Sequence, residues 1–329
     1  MTVTQFNPDT GEQFAWDATS MSNFTKCPRY YIYWMQGWTN PFKSVHLLFG
    51  GAYASAIEAY IKATVLRNMT HDEATVEAVR VALVESWEHQ YDKEGNRIPG
   101  TGKPHPSYLT TNTKTRENLV RTVVWYLEEY KDSLYKTYIT KDGRPAVEYS
   151  FKIELDSIIW CGHMDQLIHP KHNVSELYVQ DQKTTGTTIS ASFFAQFDLS
   201  LQMSGYTCAG KIIYNTPVKG VMIDGAQIAV GFSRFMRGFT YRNSDNLEEF
   251  ILEINATARY ANKLWQEYHA AGGHSNFAAT EIFPRNLSSC GNYGGCEYAG
   301  VCRAPRSLRK NLLASGFTRD TPWNPMKAR

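Results

Sequence analysis

The chain lacks the segments that would carry it into or across a membrane. None of its apolar runs approaches the roughly 20 residues that a membrane-spanning helix needs. Its start, Met1 to Gln5, lacks the basic and then apolar pattern of a signal peptide. We therefore expect a cytoplasmic protein without a membrane partner.

Strong net charge is also missing. The formal charge of +2 does not by itself indicate a nucleic-acid-binding protein. Basic residues are concentrated at the end, where residues 303–329 carry +6 and leave −4 for the rest. This basic tail could contact phosphates, or it could be a solvated, partly disordered end. The 43% hydrophobic content of 329 residues suits one large domain or two small ones.

Cysteine is scarce, and its placement is uneven. Because cytoplasmic thiols stay reduced, six cysteines predict a metal or cluster site rather than disulfides. Four of them frame the chain: Cys27, Cys290, Cys296 and Cys302. Four thiolates suit a 4Fe-4S cluster or Zn²⁺, and four unrelated buried thiols are the plain alternative. Cys161 and Cys208 are expected to be inert core thiols.

Hydrophobic periodicity predicts helices in the first part of the chain. Trp16 to Trp38 reads as helical, with Ser20 or Ser22 as N-cap and an interruption at Pro28. Three further helices are predicted at Ala52–Leu66, around Val76–Trp87 and around Leu119–Leu134. The loop over residues 93–112 is rich in Gly and Pro and is interpreted as a flap.

From Glu148 the period changes to two, which predicts strands. The predicted elements are strands Glu148–Leu155, Ser157–Ile168 and Glu176–Gln182, a helix Phe193–Ile213, a hairpin turn at Asp224-Gly225, and a helix Asn246–Ala270. This order indicates an α/β (or α+β) fold with a mixed central sheet flanked by helices.

Two acids and a lysine in these strands form the pattern of a metal site. Asp165 and Asp181 are 16 residues apart, as two adjacent strands joined by a short turn would place them. Side chains at i and i+2 of a strand share a face, so Asp181 and Lys183 point the same way. Carboxylates around a divalent cation, with a lysine beside a bound water, suit phosphodiester hydrolysis. A surface salt bridge is the alternative for an isolated Asp-x-Lys.

The chain from Met21 to Cys302 resembles the PD-(D/E)XK nuclease superfamily, in particular its RecB-like branch with an iron–sulfur cluster. The matches are Ser22 to Tyr31 with its Cys-Pro-basic-aromatic-aromatic start, Gly162-His163-Met164-Asp165, Asp181-Gln182-Lys183-Thr184-Thr185-Gly186, Gln202-Met203-Ser204-Gly205-Tyr206, and the acid Glu148. The resemblance implies a restriction-endonuclease-like core at about 145–235 with a helical insertion at about 67–140, in a single domain over 1–302 followed by the tail 303–329.

The resemblance also implies roles for individual residues. Asp165, Asp181 and the main-chain carbonyl of Gln182 would bind Mg²⁺ or Mn²⁺, and Lys183 would be the catalytic lysine. Gln202 and Tyr206 lie one helical turn apart and would face the active site and the DNA backbone. Ordinary amphipathic patterning is the alternative for this last pair.

Two departures from the family pattern stand out. Ala54 occupies the position of a metal-binding histidine, while Glu58, one turn later, remains as a third metal ligand; His46 and His163 are candidate substitutes. Cys27 together with residues 290–302 would hold the 4Fe-4S cluster and join the two ends of the domain. The spacing of five residues between Cys290 and Cys296 is wider than the family's usual first spacing.

The resemblance therefore implies a metal-dependent DNA nuclease, an exonuclease on duplex ends or single strands. Its partners would belong to recombination, phage replication or CRISPR spacer acquisition. The alternative is a DNA-binding or assembly module of the same fold whose catalysis was lost with the histidine. A cluster is favoured over Zn²⁺ by the resemblance alone.

Overall fold

The computed structural model describes residues 4–91, 97–98, 102–214, 218–292 and 295–327. Most of the predicted flap falls among them, but residues 92–96 and 99–101 lie outside the described part. The chain divides into two compact units. The cysteine unit comprises Met1–Pro41, Ser150–Gly162 and Asn243–Arg329, and the carboxylate unit comprises Phe42–Tyr149 and His163–Arg242.

The helices in the described ranges follow the predicted order. They are α1 (Ala18–Lys26), α2 (Pro28–Met35), α3 (Val45–Leu66), α4 (His71–Glu85), α5 (Arg116–Tyr130), α6 (Ala191–Ala195), α7 (Leu201–Tyr214), α8 (Ser244–Ala270), α9 (Ala299–Arg303) and α10 (Arg306–Gly316). Short 3₁₀ segments occur at 106–109, 273–275, 277–282 and 287–289. No helix in these ranges has the length and apolarity that crossing a bilayer requires.

The strands build one large mixed sheet and two small ribbons. They are β1 (Ala15–Trp16), β2 (Trp38–Thr39), β3 (Gln90–Tyr91), β4 (Arg97–Ile98), β5 (Tyr135–Thr137), β6 (Val147–Leu155), β7 (Ile158–Pro170), β8 (Leu177–Thr185), β9 (Val218–Ile228), β10 (Ser233–Thr240) and β11 (Thr318–Arg319). The large sheet runs β1-β7-β8-β9-β10, with β5 and β6 also paired to β7. Its β8–β9 pairing is parallel, while β7–β8 and β9–β10 are antiparallel. The predicted mixed sheet with flanking helices is confirmed.

The capping residues place several helix boundaries differently from the prediction. Asp17, not Ser20 or Ser22, caps α1: its carboxylate accepts the Ser20 N–H at 2.8 Å, and the Ser20 hydroxyl accepts the Asp17 N–H at 3.1 Å. This reciprocal pair is a capping box. Pro28 occupies the first position of α2, where the missing N–H carries no cost. α3 begins at Val45, seven residues before the predicted Ala52, because Ser44 caps it.

The predicted hairpin turn at Asp224-Gly225 is wrong. Both residues lie inside β9, and Asp224 is opposite Arg237 in β10. The turn comes later, where the Ala229 N–H donates to the Phe232 carbonyl at 3.0 Å. Asp224 can stay in a strand because its carboxylate is paired with the Arg237 guanidinium, 3.0 Å away. Local turn propensity was therefore overridden by a non-local ion pair.

The predicted basic tail is folded over residues 303–327. α10 buries Leu313 completely, and the Arg309 guanidinium donates to the Glu281 carboxylate at 2.6 Å. β11 then pairs with β2 in the cysteine unit. Residues 303–327 therefore form secondary structure that is mostly solvent-exposed, and Arg309 is committed to an internal ion pair.

The core of the carboxylate unit forms where α3 and α5 pack on the sheet. Tyr53, Leu119 and Val123 are buried there with Ala226 and Ile228 of β9. Apolar positions at helical spacing in α5 supply this contact. The polar side chains described next lie on β7 and β8.

Candidate functional site

The centre lies where β7 and β8 part. Their pairing covers Gln166–Ile168 against Tyr178–Gln180, and the next residues are Asp165 and Asp181. One oxygen of the Asp165 carboxylate, Oδ2, accepts the main-chain N–H of Gln182 at 2.8 Å. A side chain thus satisfies a backbone donor on β8 near the end of this pairing. The structure brings Asp165 and Asp181 to one place.

Lys183 completes the cluster. Its ammonium forms an ion pair with Oδ2 of Asp181, a residue that is 1% exposed. The other oxygen of this carboxylate, Oδ1, has no hydrogen-bond partner among the described residues. A buried carboxylate with open acceptor positions suits a hard cation, which takes oxygen ligands. The donor chemistry therefore fits Mg²⁺ or Mn²⁺ at Asp165 and Asp181.

The electrostatics of the cluster follow from burial and charge. Burial, and then the negative charge of Asp181, raises the pKa of Asp165 to about 7. Burial alone would lower the pKa of Lys183, but the charges of Asp181 and Asp165 outweigh it and raise that pKa. Lys183 therefore stays protonated at neutral pH and acts as a cationic donor.

A chain of hydrogen bonds holds the Lys183 side chain. Lys183 Nζ donates to Gln202 Oε1 at 3.3 Å, and Gln202 Nε2 donates to the Tyr206 hydroxyl at 2.8 Å. The Tyr206 hydroxyl in turn donates to the main-chain carbonyl of His163 at 2.5 Å. The i, i+4 spacing on α7 lets Gln202 and Tyr206 meet. Gln202 therefore contacts the lysine directly, and Tyr206 supports Gln202.

Two carboxylates, Glu58 and Glu148, are candidates for a third position at the centre. Glu58 pairs with Lys62 one turn along α3, and its side chain is 25% exposed. The negative charge of Glu148 contributes to the raised pKa values of Asp165 and Tyr206, so Glu148 lies near the centre. It has a φ of 46°, which is uncommon for a residue other than glycine. Glu58 as a metal ligand stays a prediction, and Glu148 is a second candidate for that position.

Sequence reasoning did not single out Lys114. This lysine is 2% exposed, its ammonium donates to the Thr184 hydroxyl at 3.3 Å, and it lies 5.4 Å from the centre of the Phe49 ring. Burial lowers its pKa to about 8. A single lysine in a polar loop has no pattern that could have identified it. Because Thr184 directly follows Lys183 in β8, the buried Lys114 lies close to the site.

The four cysteines predicted to act together lie in the cysteine unit. Cys27 joins α1 to α2, and the Asn286 N–H donates to its sulfur at 3.3 Å. Burial raises the pKa of the Cys296 thiol, and the charges of Cys27 and Cys290 add to this rise. Burial also raises the pKa of Cys302, where Cys296 and Cys27 contribute as well. The Cys296 sulfur therefore lies within electrostatic reach of the other three.

Neither the four cysteines nor the carboxylates near Lys183 form a complete metal-binding geometry among the described residues. No group of three or more His, Cys, Asp or Glu side chains in the described ranges is arranged to hold a metal ion. Tyr293 and Gly294, in the loop between Cys290 and Cys296, lie outside those ranges. The donor set still fits thiolate ligation, because all six cysteines are free of disulfides. It fits a 4Fe-4S cluster and Zn²⁺ equally.

Comparison with known proteins adds only a low structural likeness. No protein-family model and no curated protein sequence matches the chain. Among solved structures, the chain is similar to a proposed exonuclease from Eubacterium rectale, determined by crystallography at 2.19 Å resolution. The two share 12% identity at a TM-score of 0.42, over 75% of this chain and 80% of that one. A likeness of this size carries no argument about activity.

Proposed function

We propose that this protein is a metal-dependent deoxyribonuclease of the PD-(D/E)XK type, an exonuclease acting on duplex ends or single strands. The observation that carries the proposal is the cluster of the buried Asp181 with the half-buried Asp165 and Lys183, at the point where two paired strands part. Oδ1 of the buried Asp181 has no hydrogen-bond partner among the described residues, so it is open to a cation as a further ligand.

The residues of the chain have distinct tasks in this proposal. Asp165 and Asp181, with the main-chain carbonyl of Gln182, hold Mg²⁺ or Mn²⁺, which supplies charge neutralisation and an acidified water when bound. Glu58 or Glu148 provides a further carboxylate. Lys183 keeps its proton and donates a hydrogen bond towards the attacking water or the phosphate.

Gln202 and Tyr206 fix where the Lys183 ammonium points. Because the Tyr206 hydroxyl is anchored on a main-chain carbonyl, the chain of hydrogen bonds ends on rigid backbone. This arrangement costs little reorganisation during reaction, since the donor is already in place. The pair serves the lysine first, and contact with the DNA backbone is a second role that the resemblance implies.

The cysteine unit is proposed to hold a structural 4Fe-4S cluster at Cys27, Cys290, Cys296 and Cys302. Zn²⁺ is the alternative occupant. The Asn286 N–H at the Cys27 sulfur is the kind of second-layer contact that stabilises a thiolate ligand. Either occupant would contribute folding free energy to the cysteine unit.

The test uses anaerobically purified protein and end-labelled single- and double-stranded DNA. We expect cleavage with Mg²⁺ or Mn²⁺, none with EDTA, and a loss of at least about 100-fold in Lys183→Met. Lys141→Met, which removes an exposed lysine of the same unit, is the matched control and should cleave normally. Equal cleavage by Lys183→Met and the control would overturn the mechanism.

A second candidate function is a DNA-binding or assembly module without catalysis. Ala54 favours it, because this residue stands where the family has a metal-binding histidine. Cluster- or zinc-loaded wild-type protein that binds DNA but cuts neither strand form with Mg²⁺ or Mn²⁺ would select this alternative. Ala54→His would then be expected to restore cleavage if only the ligand is missing.

A further inference from the structure

Lys114 is a buried cation without an acidic partner. In the described part of the carboxylate unit, its ammonium forms no ion pair, and its one hydrogen bond goes to the neutral hydroxyl of Thr184. Moving an ammonium out of water is unfavourable unless an anion compensates its charge. The two remaining N–H groups of this ammonium have no hydrogen-bond acceptor among the described residues. Such a charge needs an explanation other than stability.

Lys114 lies near the start of α3, where Lys43 is a further cation. The positive charge of Lys114 contributes to lowering the pKa of His46, after burial, and Lys43 acts in the same way on His105. Glu88 opposes the effect at His105. Lys43 and His46 flank Ser44, the N-cap of α3, where the main-chain N–H groups of a 22-residue helix begin. That end of a helix favours an anion.

The position of Thr184 connects this region to the centre. Thr184 is the residue after Lys183 on β8, so the two side chains leave opposite faces of the same strand end. A Cβ atom on Gly50 would lie 3.5 Å from the Thr184 hydroxyl, which places α3 directly beside the strand at this point. A chain of phosphates passing the end of β8 would meet Lys183 on one face and Lys114 on the other.

We infer that Lys114, with the start of α3, binds a backbone phosphate of the DNA strand next to the phosphate held at the Asp165–Asp181 centre. This inference rests on the proposed function and names a contact that the family motifs do not include. The phosphate supplies the counter-charge that the described residues do not provide at Lys114. The lysine moves from the Thr184 hydroxyl to the phosphate, which its flexible four-carbon stem permits.

The test measures binding apart from cleavage. A fluorescein-labelled single-stranded oligonucleotide is titrated in EDTA at several salt concentrations with wild type, Lys114→Met, Lys114→Gln and the control Lys141→Met. We expect about a tenfold weaker affinity and a salt slope smaller by about one for both Lys114 variants, as for loss of one phosphate contact. Lys141→Met should bind as the wild type does. Melting temperatures of the Lys114 variants should not fall.

The outcomes separate this inference from the proposed function. Wild type that cleaves DNA, with Lys114 variants of unchanged affinity and salt slope, overturns the inference alone. Wild type that binds but never cleaves, with a reduced slope in both variants, overturns the nuclease proposal alone. A lower melting temperature in both variants would assign Lys114 to the fold and also overturn the inference.

Discussion

The Asp165 carboxylate accepts the main-chain N–H of Gln182 at 2.8 Å, where β7 and β8 part. One side chain thus does two things at once: it satisfies a backbone donor on β8 and places a second carboxylate next to Asp181. The two negative charges repel each other, and the Lys183 ammonium offsets this only in part, because burial and Asp181 still raise the pKa of Asp165. A divalent ion bound by the two carboxylates would relieve this repulsion.

This relationship predicts opposite stability effects for two substitutions of Asp165. Asp165→Asn keeps an acceptor for the Gln182 N–H and removes the repulsion, so its melting temperature in EDTA should equal or exceed that of wild type. Asp165→Ala leaves the N–H without its acceptor and should cost about 1–3 kcal/mol. Thermal unfolding in EDTA measures both. An Asn variant that melts below the Ala variant would contradict the account, and neither variant should cleave DNA.

Tyr206→Phe should separate positioning from substrate binding. The substitution removes the hydroxyl that links Gln202 to the His163 carbonyl, so the Lys183 ammonium loses its support. We expect kcat to fall about tenfold, within the usual range for general acid–base and positioning groups, with KM unchanged. Steady-state kinetics on a labelled oligonucleotide provide the measurement. A rise in KM with constant kcat would instead indicate a direct contact between Tyr206 and DNA.

Lys114 predicts a stability difference that depends on pH. Burial lowers its pKa to about 8 from an ordinary value of 10.5, so below pH 8 the lysine is charged in both the folded and the unfolded protein, and its burial cost is present in full. Between pH 8 and 10.5 the unfolded protein binds more protons, and wild-type stability rises relative to a neutral variant. Lys114→Met should be more stable than wild type at pH 7, by on the order of 1–3 kcal/mol.

Denaturant unfolding of wild type and Lys114→Met at pH 7, 9 and 10.5 tests this difference. The advantage of the variant should shrink as the pH rises through this window. The control Lys141→Met should show a constant difference from wild type. A Lys114→Met protein that is less stable at pH 7 and shows no trend with pH would contradict the burial argument.

The ion pair between Asp224 and Arg237 should be a principal stabilising feature of the carboxylate unit. Asp224 Oδ2 also accepts the Tyr126 hydroxyl at 2.5 Å and the Gln180 amide at 2.6 Å. Arg237→Met would leave the aspartate charged and buried without its cation, at a cost of about 3–5 kcal/mol. The double variant with Asp224→Asn should recover part of that loss. Denaturant unfolding of the two single variants and the double variant gives the coupling.

The cysteine site predicts a metal-dependent fold in the cysteine unit. Cys296→Ser should lower iron or zinc content and melting temperature together, because ligand loss removes binding free energy from the folded state. Cys208→Ala, at a buried cysteine of α7, is the matched control and should keep the metal. Elemental analysis decides between iron and zinc. For an iron–sulfur cluster we also expect absorbance at about 400 nm. Unchanged metal content in Cys296→Ser would remove this cysteine from the ligand set.

Sequence patterns predicted those parts of the fold that depend on local periodicity. The change from helical to alternating spacing at Glu148 located β6, β7 and β8 within a few residues. Pro28 ended one helix and began the next, as a residue without an N–H must. The predicted helix Phe193–Ile213 is instead two helices, α6 and α7, because the chain turns between Gln196 and Ser200. Periodicity showed the apolar face but not this break.

Alternation along β8 also determined that Asp181 and Lys183 share a face, because successive side chains of a strand point to opposite sides. Only the tertiary structure decided which distant groups meet them. It brought the charge of Glu148 to the centre, kept Asp224 in a strand beside Arg237, and buried Lys114 against Thr184. A local pattern records which face of an element is covered. The partner that compensates a charge comes from elsewhere in the chain, and it is fixed only when the elements pack.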